Sequence, residues 1–79
     1  MAIGKQMTAD DAITVDISAA DHVIKSGAIY VGVTGDVKIT SVQGTVSVWV
    51  AFPAGAIIPC KVSRVWKVGT TASSMLALI

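Results

Sequence analysis

Thr45–Ala72, TVSVWVAFPAGAIIPCKVSRVWKVGTTA, contains both tryptophans, both prolines and the single cysteine of the chain. Apolar and polar residues alternate on either side of Pro53-Ala54-Gly55, the period of two that marks half-buried strands. Proline presets φ at the first central position of a turn and glycine closes it, so the stretch predicts two strands joined by a tight turn. Gly69-Thr70-Thr71-Ala72-Ser73 predicts a second turn. In the first strand Val46, Val48, Val50 and Phe52 share a face, expected to be the core, and Thr45, Ser47, Trp49 and Ala51 share the other. In the second, Ile58, Cys60, Val62, Trp66 and Val68 share a face that Arg64 interrupts. Burying a lone guanidinium is costly, so either a β-bulge near Ser63 turns Arg64 outward or Arg64 pairs with a carboxylate.

Upstream, Ile13–Ile17 alternates as a short strand suited to a sheet edge. Ser18–Asp21 predicts a turn or a single helical turn, with Ser18 as N-cap. Ala28–Val33 and Val37–Val42 predict an antiparallel pair around Thr34-Gly35-Asp36, with Gly35 at positive φ. Gln43-Gly44 predicts the next turn, and Met75–Ile79, MLALI, an apolar strand docked in a sheet or an interface. The expected fold is all-β: a compact antiparallel β-sandwich or small barrel of about six strands. Residues 1–12 are expected to form an extended N-terminal arm and residues 13–79 a single β domain.

With 79 residues, burial of apolar surface barely offsets the roughly 1.5 kcal/mol of conformational entropy lost per ordered residue. Such small domains usually add disulfides, a metal or partner subunits. Cys60 has no second cysteine to pair with and no cluster of potential ligands accompanies it, which leaves association, so a homo-oligomer is expected. Charged residues are only 14% of the chain against 53% hydrophobic, where soluble domains carry roughly 25% charge. Interface cores are depleted in charge. The uncharged run Ile39–Cys60 is long enough to span a bilayer, but its glycines, prolines and polar alternation do not suit a spanning helix. Asp10, Asp11, Asp16 and Asp21 stand where a signal peptide would be apolar.

A net charge of +1 does not suit phosphate binding, which takes clustered Lys and Arg. Lys61, Arg64 and Lys67 read as a solvated strand face plus one paired arginine. Acid–base chemistry has little to draw on: one histidine, one cysteine and no glutamate. A nucleophilic pair would need His22 and Cys60 to meet, and a calcium site would need Asp10 and Asp11 with Asp16 or Asp21. Neither spacing matches a known motif, and no catalytic, cofactor or metal residue is assigned. Trp49 and Trp66 are expected in the core or at a subunit contact, where aromatics are enriched, and Arg64, Leu78 and Ile79 complete the expected interface set.

Four segments together resemble a known family. Ala28-Ile29-Tyr30-Val31-Gly32 with Gly35-Asp36, Pro53-Ala54-Gly55-Ala56-Ile57-Ile58-Pro59, Lys61-Val62-Ser63-Arg64-Val65, and Gly69-Thr70-Thr71-Ala72 follow one another in the order and spacing of the small spike-base proteins of gene transfer agents and tailed phages. The resemblance covers about residues 20 to 79. It departs at Lys61, where the pattern has arginine, at Trp66, in place of a smaller aliphatic, and at Val50-Ala51, where polar residues are commoner. It implies a non-enzymatic virion component, made in the bacterial cytoplasm. That component assembles as a ring on the capsid surface, with the major capsid protein and a spike or fibre protein as partners. A capsid cement or tail protein is the structural alternative, and a carbohydrate-binding module using Trp49 or Trp66 the alternative of another class.

Overall fold

A computed structural model describes residues 10–79, so most of the expected arm lies outside the described residues. The fold is all-β: β1 Ala12–Thr14, β2 His22–Tyr30, β3 Gly35–Ser41, β4 Val46–Phe52, β5 Ile57–Val65 and β6 Leu76–Leu78. They form one antiparallel sheet in the order β1-β6-β2-β5-β3-β4. Met75–Ile79 does supply a docked strand: β6 lies between β1 and β2, with Leu78 opposite both Ala12 and Ala28. Ile79 extends the pairing by donating to the Asp11 carbonyl and accepting from the Asp10 N–H.

The expected β2–β3 hairpin does not form. β5 separates the two strands, with Val65 opposite His22 on one side and Ile39 on the other. Alternation identifies strands but not their neighbours, and β5, whose Ile58, Val62 and Val65 are all fully buried, takes the central place. β2 also begins earlier than the expected Ala28, at His22. The Ser18–Asp21 region forms bends and no helix. Asp16 closes the chain on itself there, its Oδ1 accepting from the Ser18 N–H at 3.0 Å and the Ser18 hydroxyl at 2.7 Å.

The sheet curls around a core of Val15, Ile29, Val31, Val37, Ile39, Ile58, Val62, Val65, Ala72, Met75 and Ala77. Val62 and Val65 are three residues apart yet both fully buried, which simple alternation forbids. The bulge expected near Ser63 resolves this. Between Thr40–Arg64 and Ser41–Val62, β5 advances two residues while β3 advances one. The Ser63 hydroxyl sits within 3.2 Å of the carbonyls of Thr40 and Ser41. The bulge turns Arg64 away from the core, and Trp66 and Val68 also leave the face first expected to hold them; Val68 is 76% exposed.

The closing turn has a specific task. β3 runs past the end of β5, and threonine side chains take over there as acceptors. Thr70 Oγ1 accepts from the Lys38 N–H at 3.0 Å, and Thr71 Oγ1 from the Asp36 N–H at 2.9 Å. The Asp36 carbonyl in turn accepts from the N–H groups of Thr71 and Ala72. Gly44 takes positive φ in its turn as expected, and Gly55 does so in the turn after Pro53, but Gly35 does not. It is needed for close approach, because a Cβ there would lie 2.5 Å from the Ala72 backbone nitrogen and 2.7 Å from its Cα. Gly35→Ala must push the Thr70–Ala72 segment off β3, and overpacking of this kind costs about 1–3 kcal/mol. The loss is read as a lower urea midpoint with unchanged slope; an unchanged midpoint would mean the segment is not held against β3.

Candidate functional site

The most distinctive surface is the outer face of β3, β4 and β5. Cross-strand register aligns Val23, Arg64, Thr40 and Val46 in one row and Lys38 and Val48 in the next. Trp66 joins the second row, its N–H donating to the Lys38 carbonyl at 2.8 Å. The assignment of the Val46–Phe52 face is corrected here. Val46, Val48 and Val50 are 48%, 49% and 73% exposed, although valine is among the residues most often buried. The opposite face, with Ser47 and Trp49, turns towards buried Val37 and Ile39. From Val46 to Val50 the period is as expected and the direction reversed, whereas Phe52, beyond the bulge at Ala51, packs on the core as expected.

Trp49 therefore packs against the core with Phe52, their rings edge to face at 5.8 Å and 83°. Its indole N–H donates to the Ser47 hydroxyl at 3.2 Å. Trp66 lies on the outer face, where its indole N–H donates to Thr40 Oγ1 at 2.9 Å. The Lys38 ammonium lies 4.5 Å from the ring centroid and the Arg64 guanidinium 5.5 Å. Cations at these distances are attracted by the ring quadrupole. Arg64 also pairs with Asp21 at 3.1 Å, so both outcomes considered for it occur together, bulge and carboxylate. Asp21 uses its other oxygen to accept from the Lys67 N–H at 2.8 Å, tying the loop before β2 to the end of β5. At this exposure the ion pair is worth at most about 1 kcal/mol. Of the expected interface residues, then, Trp66 and Arg64 come together on this face, Trp49 lies behind it, and Leu78 and Ile79 are across the sheet beside β1.

Other chemically capable groups are dispersed. His22 pairs with Val65 while Cys60 lies five residues further along β5, roughly 15 Å at strand rise. Cys60 is half-buried and free, with Sγ 3.8 Å from the Lys61 carbonyl. Among the described residues no three His, Cys or Asp side chains gather as metal ligands, and no helix is long and apolar enough to cross a membrane. Asp36, read at first only as a turn residue, accepts from the Ala51 N–H through Oδ1 at 2.9 Å. That bond holds Ala51 at φ 50° where β4 bulges against β3. A shallow apolar depression between β1 and β2, lined by Ile13, His22, Val23, Lys25 and Ile79, brings no reactive groups together. Comparison with known proteins gives no guide: no family model, no curated protein and no solved structure matches the chain.

Two outcomes follow from this geometry. Trp49→Ala is expected to lower the stability of the folded chain by about 2 kcal/mol or more, since aromatic truncations in cores cost up to about 5 kcal/mol and Trp49 is half-buried. Denaturant titration reads the loss, and an unaltered midpoint would place Trp49 outside the core. The two hydrogen bonds from Ser18, aided by nearby His22, hold the Asp16 carboxyl below its usual range. A lowered folded-state value stabilises the fold above the unfolded-state pKa, and this stabilisation is lost as pH falls through the lowered value, acid of about pH 4. Ser18→Ala is therefore expected to raise the Asp16 pKa measured by NMR titration; no change would remove Ser18 as the cause.

Proposed function

We propose that this chain is a non-enzymatic structural component of a tailed phage or phage-like particle, self-associating and located on the capsid as a spike base or related decoration. Its partners in this reading are copies of itself, the major capsid protein and a spike or fibre protein. The observation that carries the reading is the outer face of β4, where three valines of an edge strand stand at about half exposure or more. Three exposed valines in a row along an edge strand, on a chain this poor in charge, support burial by neighbours rather than exposure to water. The four-segment resemblance supplies the biological setting, and the G-T-T-A segment within it has a structural reason in the threonine bonds to β3.

A glycan-binding module is less well supported. Stacking on sugars takes an open ring, and Trp66 is already covered by Lys38 and Arg64, while Trp49 packs on the core. The test is the absolute mass in solution, by light scattering after size exclusion across a dilution series. The expected result is a multiple of 8.1 kDa that survives dilution. A ring of five or six copies fits the spike base and a trimer fits capsid cement. A folded monomer at every concentration would overturn the proposal.

A further inference from the structure

β4 has one free edge among the described residues, and its hydrogen-bonding groups can be followed one by one. The Ser41 N–H donates to the Thr45 carbonyl. Hydrogen-bonded positions alternate along an antiparallel pair, so Ile39–Ser47 and Val37–Trp49 are bonded in turn. Lys38 confirms the phase: its carbonyl accepts from Trp66 and its N–H donates to Thr70 Oγ1, both on the side away from β4. Val46 and Val48, and by the same alternation Val50, therefore direct their N–H and C=O groups to the free edge. These are the same residues whose side chains are exposed. Exposed edges are ordinarily blunted by lysine, proline or a bulge; Val46–Trp49 contains none of these, and the bulge of β4 lies at the end of the segment, at Val50-Ala51.

We infer that the free edge of β4 pairs antiparallel with the β4 of a second copy, about a two-fold axis through Val48. The segment Val46-Ser47-Val48-Trp49-Val50 is self-complementary about its centre. Val48 meets its own equivalent, Val46 meets Val50 of the other copy, and Ser47 meets Trp49. Each valine pair joins residues whose N–H and C=O both face the edge, so the ladder closes with every group paired and the valines shield one another on the outer face. An isologous contact requires a patch complementary to itself, and this one meets that requirement in backbone phase as well as in side chains.

Charge selects this occupant over the other edge of the sheet. β4 carries no charge, and its nearest cation, Lys38, is one strand inward. Across the proposed pair the two Lys38 side chains are three strand spacings apart, about 14 Å, beyond a Debye length of about 8 Å. β1 is flanked by Asp10, Asp11 and Asp16 and spans three residues. Pairing β1 with itself would oppose carboxylates, and pairing it with β4 would desolvate them against valine. The inference rests on the self-association proposed above and adds that copies join in pairs, so assemblies that use this edge in every copy contain even numbers.

Disulfide trapping tests it. In a Cys60→Ser background, Val48→Cys places a thiol on the two-fold axis, where opposed strand residues are about 5.5 Å apart at Cα and within disulfide range. Val46→Cys, whose opposite number is Val50, cannot meet its own equivalent. Under mild oxidation Val48→Cys is expected to give about fivefold or more covalent dimer over Val46→Cys. Separately, Val48→Lys is expected to at least halve the mass by light scattering while keeping the far-ultraviolet spectrum. An assembly of unaltered mass in Val48→Lys, an odd copy number, or equal trapping at both positions overturns the pairing and leaves the assembly reading standing. A chain that is monomeric throughout and gives no trapped dimer overturns both, and assigns the edge to another chain or segment.

Discussion

The constraint on which the rest depends is that β5 must serve two neighbours. Lying between β2 and β3, it supplies Ile58, Val62 and Val65 to the core from one strand. No unbroken strand can do so, because the last two are separated by an odd number of residues. The bulge at Ser63 resets the alternation and is stabilised by hydroxyl contacts to β3. Its consequence appears on the other side of the sheet: once Val65 is inward, Arg64 and Trp66 are outward, and they meet Lys38 and Thr40 there. One inserted residue thus builds both the centre of the core and the cationic, aromatic outer face.

That outer face is secured by side-chain bonds as well as by the ladder. Where β3 outruns β5, Thr70 and Thr71 replace a missing strand, and Asp36 binds the same turn through its backbone and the bulge of β4 through its carboxylate. Hydroxyl and carboxylate acceptors reach backbone donors that would otherwise be left unpaired, which would cost about 1–3 kcal/mol each if buried. β4 is anchored in this way at the Asp36 end and by the Ser41–Thr45 turn at the other. It is held firmly on one edge and exposed on the other.

Much of this was legible in the sequence and some was not, for physical reasons. Six strands, the turns at Gly44 and Gly55, and the displaced Arg64 could all be read, because alternation, turn chemistry and the cost of burying a guanidinium are local. Strand order was not legible: the pairing of β5 with both β2 and β3 is a property of the whole sheet, and short connections favour the β2–β3 hairpin that does not occur. The direction of β4 was misread for a related reason. Alternation separates two faces without saying which meets the core, and the usual preference of valine for burial points the wrong way here. The misplaced residues are informative, since valines on the solvent side of an edge strand contradict the rule that places them inside. The role of Gly35 was hidden because close approach to Ala72, unlike positive φ, depends on a segment 37 residues away.

The balance between core and surface explains why these departures cluster at one edge. Hydrophobic burial in so short a chain leaves little net stability, and sequences under that limit are usually kept soluble by charge on the remaining surface. Here Asp10, Asp11, Asp16 and Asp21 lie around β1 and the loop before β2, Asp36 of β3 is engaged by the Ala51 N–H, and the strand with the most exposed apolar groups has no charge of its own. Placing Trp49 inward rather than a valine gives the core the larger apolar side chain, with its N–H satisfied by Ser47 on the same strand. The valines are left on the side where β-branched residues still favour an extended strand. The same composition that stabilises β4 as a strand therefore leaves its outer edge open among the described residues, and this is the edge that the proposed pairing covers.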